Sequence, residues 1–379
     1  MNLHGELAGL GQQVLVLQGG GALGAYQVGV YQALDEAGIE PDWVIGTSIG
    51  AINAAIIAGS ARSERMARLR DFWKRVEHRH ALEDLVPAGM TAMIRNWQAI
   101  AAGLPSFFAP NPLAFLSPHA QLGAEGAGYY STDPLRATLA DLVDFDRVNG
   151  GAIRLTVGAS NVRTSEMVYF DSRDRPLDLR HVMASGALPP AFPAVRIDDE
   201  LYWDGGILSN TPVEAVFDDN PRRNAMVYAV HIWNPHGHEP ETIWEVMNRQ
   251  KDVQYSSRAA THIKRQRQLH KLRHIITELA GLIPPDRRQS ADVAELAGYG
   301  CSTRMHVIRL LAPALDQEDH SKDIDFSPSG IRQRWEAGYA HTMRTLEKAP
   351  WRDPVDPLEG FVLHEAMGGE MVATAAADS

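Results

Sequence analysis

Two strand-length apolar runs, each ending in a glycine turn that opens a helix, limit what this chain can fold into more than any other feature. Val14-Leu15-Val16-Leu17 runs into Gly19-Gly20-Gly21, and Ala22 to Gly38 then carries apolar side chains at helical spacing: Leu23, Tyr26, Val30, Ala33 and Leu34. Trp43-Val44-Ile45 runs into Gly46-Thr47-Ser48-Ile49-Gly50, and a small-residue helix, Ala51 to Ala58, follows. Apolar runs without alternation suit strands buried on both faces. Parallel neighbours need a crossover between them, so this rhythm predicts an α/β fold with a mostly parallel sheet and helices on its faces.

Composition removes several classes of function. The 379 residues are 45% aliphatic and aromatic, enough for a sizeable core. A net charge of −11 argues against a nucleic-acid partner. Cys301 is the single cysteine, so neither an internal disulfide nor a cysteine-based metal cluster can form, and nothing points to an oxidising compartment. Met1 to Gln12 lacks a basic stretch followed by an apolar one, and no segment approaches the roughly 20 apolar residues of a membrane span. These features set an expectation of cytoplasmic residence.

Leu104 to Gly128 is rich in Pro, Gly and Phe and lacks a period; it reads either as a lid or as an ordered surface loop with its aromatics tucked inward. Strands are expected at Ile153 to Ala159, Glu166 to Phe170, Leu201 to Trp203 and Ala225 to Trp233, and a short helix at Leu179 to Ser185. Glu241 to Leu279 is helical in pattern, and within it Arg249 to His274 holds eight Lys or Arg against one acid, Asp252.

Three segments carry chemistry. Gly46-Thr47-Ser48-Ile49-Gly50 is a G-x-S-x-G turn between strand and helix, the context in which a serine is held exposed on a strained elbow. Gly19-Gly20-Gly21-Ala22-Leu23-Gly24 is a glycine run at a strand end, able to aim backbone N–H groups at an oxyanion. Gly19, Gly21 and Gly24 also fit a dinucleotide fingerprint, with Glu40 and Asp42 near the ribose-binding offset; taken alone, the segment suits either role. The serine elbow after the very next strand favours acyl chemistry. Asp204-Gly205-Gly206 places a carboxylate at the end of a short strand, or is a plain turn.

In this order the three segments resemble the patatin-like phospholipases. Supporting segments match too: Asn161-Val162-Arg163-Thr164 with Val168-Tyr169-Phe170-Asp171, and Ala184-Ser185-Gly186-Ala187-Leu188-Pro189-Pro190-Ala191-Phe192-Pro193. The resemblance covers roughly Val14 to Val213. It implies a three-layer α/β/α fold and calcium-independent acyl hydrolysis by a Ser48–Asp204 dyad without histidine, metal or cofactor. Gly19, Gly20, Gly21, Gly24 and Ile49 would form the oxyanion hole, with Gly46, Gly50, Gly205 and Gly206 as turn glycines. The later segments Lys322-Asp323-Ile324-Asp325-Phe326-Ser327 and Arg334-Trp335-Glu336-Ala337-Gly338 resemble an extension found in some bacterial members, for which no chemistry is implied. The expected organisation is a catalytic core over 12–215, a last core strand with a mainly helical extension over 216–349, and a flexible tail over 350–379.

The activity so implied is hydrolysis of lipid acyl esters, of the phospholipase A or lysophospholipase kind. The alternatives are acyl transfer, hydrolysis of short hydroxyacyl esters, and a catalytically silent lipid-binding module. Among the fifteen histidines, His181 and His231 read as core residues, and His236 and His238 lie in a loop without a named partner. The basic stretch suits peripheral contact with an anionic membrane if Ile263, Leu269, Leu272, Ile275, Ile276 and Leu279 face the lipid, or an ordinary solvated helix if they pack on the core.

Overall fold

The computed structural model describes residues 3–78, 103–315, 318, 320–356, 358–366 and 371–372, with the side chains of 257–260, 366 and 371–372 outside the description. Ten strands form one sheet: β1 Gln12–Leu17, β2 Trp43–Gly46, β3 Arg154–Asn161, β4 Met167–Asp171, β5 Val195–Ile197, β6 Glu200–Asp204, β7 Ala225–His231, β8 Met305–Leu311, β9 Phe361–Ala366 and β10 Met371–Val372. Their order is β10-β9-β8-β7-β1-β2-β3-β6-β5, with β4 paired to β3. From β9 to β3 every pairing is parallel; β4, β5, β6 and β10 join antiparallel.

The apolar runs are divided by the strand period. Leu15, Leu17, Tyr228, Val230, Ile308 and Leu310 belong to one core, and Val14, Val16, Val227, Ala229 and Val307 to the other. The first core packs against α1 Ala25–Glu36, α2 Ile49–Ala58, α3 Arg62–Val76, α4 Asp133–Leu142, α5 Leu179–Ser185 and α8 Pro328–Lys348. The second is covered by α6 Glu214–Phe217 and by Ile263 of the long helix α7, Ile243–Leu282. The result is the expected three-layer α/β/α arrangement.

The C-terminal region is more than a helical appendage. It supplies β8 and β9, which continue the same parallel sheet, and α8, which lies along α1 at close range. A β-carbon at Gly29 would overlap the carbonyl of Trp335, and one at Gly338 the carbonyl of Tyr26. Trp335 Nε1 donates to Gln32 Oε1 across this contact (2.7 Å), and Tyr26 Oη meets His341 Nδ1 (2.6 Å).

The 350–379 segment, expected as a flexible tail, is corrected in part. Phe361-Val362-Leu363 is apolar and covers the otherwise open edge of β8, and Phe361 is buried against Phe217 with ring centroids 5.1 Å apart. Residues 373–379 lie outside the described set. In α7, Ile263 is buried, but Leu269, Leu272 and Leu279 are exposed, so the apolar stripe follows neither a single core face nor full solvation. Among the described residues no helix is long and apolar enough to cross a membrane.

The chain turns from β1 outward to β2 and β3, and later returns to place β7 on the other side of β1. The carboxyl end of β1 is therefore a topological switch point, where a crevice forms naturally in such sheets. The glycine run, the serine elbow and Trp233 all follow strands that end there.

Candidate active site

Strand register brings Ser48 and Asp204 together. The last residue of β2, Gly46, pairs with Val157 of β3, and the last residue of β6, Asp204, pairs with Ala159. Because β4 occupies the other edge of β3 through Thr156 to Ser160, β2 and β6 must share one edge, arriving from opposite directions. Their ends meet, and each delivers its side chain to the junction.

Ser48 sits at φ 56° and ψ −125°, a backbone conformation that non-glycine residues rarely adopt. The turn is tight enough that a β-carbon on Gly46 would overlap the Gly50 carbonyl. The strain is held by surrounding bonds. Ser48 N–H donates to both the carbonyl and Oγ of Ser185 (3.1 Å each), and Ser185 Oγ donates in turn to Gly158 O (2.6 Å). Thr47 N–H donates to Leu17 O (3.2 Å).

The Asp204 side chain is buried, the residue being 2% exposed. Its Oδ1 accepts from Gly206 N–H (2.7 Å), and its own N–H donates to Ala187 O (2.9 Å). Burial pushes the carboxyl up to about 7, while the Gly206 amide and the Ser48 hydroxyl beside it act in the opposite direction. Gly205 packs its α-carbon against the Gly158 carbonyl, and both glycines of this turn leave room for the chain to leave the strand sharply.

The glycine run lies on the facing side. Gly20 and Gly21 N–H groups have no hydrogen-bond partner among the described residues, and neither does that of Ile49 at the start of α2. Gly21 takes φ +55°, and a β-carbon there would overlap the carbonyl of Asp323. Two of the expected oxyanion donors have other tasks. Gly19 N–H is bound to Asn210 O (3.1 Å), because the loop must be tied at its base. Gly24 lies a turn deeper, where a β-carbon would meet Ile49 Cγ1 at 2.6 Å, so its smallness serves packing against the elbow helix.

Several residues that hold this loop carry no motif. Gly19 O accepts from Trp233 Nε1 (2.7 Å) and Asn210 Nδ2 (3.0 Å). Gln18, fully buried, accepts at Oε1 from Ile232 N–H (2.5 Å) and Trp233 N–H (3.1 Å) and donates from Nε2 to Thr211 Oγ1 (2.7 Å). Gln27 Nε2 donates to Gln18 O (2.5 Å), Asn53 Nδ2 to Gln27 Oε1 (2.9 Å), and Trp73 Nε1 to Asn53 Oδ1 (3.1 Å). A buried network so fully paired is rigid, since breaking any member strands a polar group away from water. The one sequence signal for it is polar Gln18 directly after four apolar residues.

Ser48, Asp204 and the glycine run open onto a cavity of about 210 Å³ whose other walls are chiefly apolar, among them Ile52, Leu135, Leu188 and Phe192. Leu104, Phe107 and Phe108 also line it, so the irregular 104–128 segment is a wall of the site at its start. Its middle is exposed, with Leu113 and Leu116 at 61% and 81%. A larger surface cleft of about 590 Å³ by Arg136, Arg180 and Arg196 lies elsewhere and contains none of the three motifs. Among the described residues, no histidine lines this cavity. His181 caps α5 with Asp178, and His231 is buried in β7, where desolvation pushes it down to about 3. No cluster suited to a metal ion occurs among the described residues.

A lysophospholipase of Aspergillus terreus is 48% identical over 68 residues, 16% of this chain and 4% of that one. An uncharacterized NTE family protein of Mycobacterium tuberculosis is 28% identical over 207 residues, 54% of this chain and 28% of that one. This chain thus spans less than a third of the length of either relative. Among solved structures, VipD from Legionella pneumophila aligns over 89% of this chain and 67% of that one, at 16% identity and a TM-score of 0.37. A family model described as patatin phospholipase matches residues 253–358. The model for patatin-like phospholipases matches residues 15–217, which hold the glycine run, the serine elbow and the Asp204 turn, and the chain belongs to that family.

Proposed function

We propose that this protein hydrolyses acyl esters of lipids, with Ser48 as nucleophile and Asp204 as the only general base. The observation that carries this reading is the junction of β2 and β6: a serine on a strained elbow faces a carboxylate raised by burial to about 7, at the base of an apolar cavity. A carboxylate of ordinary acidity is a poor base at neutral pH; one poised near 7 is matched to the task.

In the first half-reaction, Asp204 takes the Ser48 hydroxyl proton as Oγ attacks the ester carbonyl. The oxyanion is received by Gly20 and Gly21 N–H, whose donors are unspent, with Ile49 N–H at the positive end of α2 as a third candidate. The intermediate collapses, the C–O bond breaks, and protonated Asp204 returns the proton to the leaving alcohol. Water then attacks the acyl-enzyme with Asp204 again as base, and as the acyl C–O bond breaks Asp204 returns that proton to Ser48 Oγ, releasing the fatty acid. The apolar walls favour an acyl chain over a polar one, and the lysophospholipase name of a relative points to a glycerophospholipid with a single chain as a first substrate to try. Peripheral contact with lipid through the exposed Leu113 and Leu116 and the basic face of α7 fits a substrate that resides in aggregates.

The test is hydrolysis of p-nitrophenyl esters and a lysophospholipid by the wild type, Ser48→Ala and Asp204→Asn. Both variants are expected to lose at least ~10³-fold in kcat, with EDTA without effect. Full activity in Ser48→Ala would remove the mechanism. Rapid acylation of Ser48 without release of acid would point to an acceptor other than water.

A further inference from the structure

The segment Lys322-Asp323-Ile324-Asp325-Phe326 lies in the C-terminal region, far in sequence from the three catalytic motifs. In space it runs beside them. Asp323 O accepts from Ala22 N–H (2.8 Å) and fills the space beside Gly21, so the segment buttresses the glycine loop. Ile324 and Phe326 line the catalytic cavity. Phe326 is buried, stacked on Trp73 with centroids 6.2 Å apart and tilted against Phe107 at 5.7 Å, which ties the segment to α3 on one side and to the 104–128 wall on the other.

The segment is clamped at its start. Lys322 Nζ makes two bonds to the Asp252 carboxylate (2.8 and 2.9 Å), both side chains being buried, and Lys251 Nζ meets Asp323 Oδ1 at 2.6 Å. Removing one partner from a buried pair leaves an uncompensated charge, so this clamp fixes the segment to α7 firmly. Phe326 is held by two aromatic neighbours, whereas Ile324 is only half-buried and faces the cavity. Of the two apolar residues, Ile324 is the one whose size changes the space open to a ligand without unpicking the core.

We propose that the Lys322–Phe326 segment is a wall of the acyl-binding cavity, and that Ile324 determines which acyl chain length the site accepts. This rests on the reading of the cavity as an acyl site and adds a specificity-determining residue from outside the catalytic motifs. Shortening the side chain lengthens the cavity at that wall; enlarging it closes the same space.

The experiment uses full-length Ser48→Ala protein, so that nothing is turned over. A fluorescent fatty acid is bound and displaced by unlabelled fatty acids of graded length, with Ile324→Ala and Ile324→Trp each added to that background. Ile324→Ala is expected to move the best competitor to a longer chain, and Ile324→Trp to a shorter one, with relative affinities of the extreme chains changing at least ~10-fold, a size that pocket methylenes can produce. Thermal melting of each variant checks that the fold is retained, and two substitutions of opposite sense guard against the loss of either. A chain-length profile that is the same in both variants and the parent overturns the inference. A profile that shifts while wild-type protein cleaves no ester keeps it and removes the hydrolase reading instead.

Discussion

Asp204 is the residue on which the proposed chemistry and the stability of this protein pull in opposite directions. Its carboxyl is raised from an ordinary value of about 4 to about 7, so the fold favours the neutral acid. The stability this contributes is complete below about pH 4 and is lost as pH rises through about 7. In the proposed mechanism the base is the ionised form, so kcat/KM should climb through the same interval and level off above it. A pH–rate profile beside urea melts at pH 4 to 8 checks both signs at once. Asp204→Asn should be inactive yet more stable than wild type at pH 8, by up to about 4 kcal/mol, with the advantage disappearing at pH 4. Equal stability of the two proteins at both pH values would mean that the carboxylate is not desolvated as described.

At the scale of elements, the contact between α1 and α8 is set by two glycines rather than by interlocking side chains. Gly338→Leu should destabilise the protein by ~1–3 kcal/mol, as overpacking generally does, with activity per folded molecule retained; chemical denaturation and active-site titration separate the two effects. This contact also shows where the sequence stops being legible. The β1, β2 and α2 runs announce themselves because a strand buried on both faces is apolar throughout, and the elbow serine because its glycines flank it. Asp204 is legible through the turn that follows it. Gln18 shows only as a polar residue after four apolar ones, and Ser185 only within a segment that resembles the family; Asn210 and Trp233 act through backbone groups brought near by tertiary structure, and nothing local distinguishes them from ordinary core or turn residues. Gly19 and Gly24 read as oxyanion donors because adjacency in sequence hides that the Gly19 N–H is already bonded to Asn210 O and that Gly24 packs against Ile49. Phe361-Val362-Leu363 was readable as apolar, but its Pro-, Gly- and acid-rich surroundings disguised a strand that needs β8 beside it to exist.

For the whole molecule, the proposed catalytic residues end at Asp204 but the sheet does not. β7 stands between β1 and β8, and α8 covers the face of α1 that would otherwise be exposed. A chain ending at residue 303 would leave β7 as a hydrophobic edge and uncover that helix face, the combination that promotes aggregation. It should be insoluble or lack a cooperative urea transition, whereas a chain ending at residue 372 should unfold as the full protein does. A soluble, active product ending at residue 303 would show that the core folds alone.

The meeting of β2 and β6 on one edge of β3 has a consequence for how such a site can vary. The separation of Ser48 and Asp204 is counted out along β3 as along a ruler graduated in residues, each division about 3.3 Å. A single insertion in β6 would both overshoot by one division and turn the carboxylate to the opposite side of the sheet. A change in this spacing therefore cannot be gradual, whereas the cavity walls can change one side chain at a time.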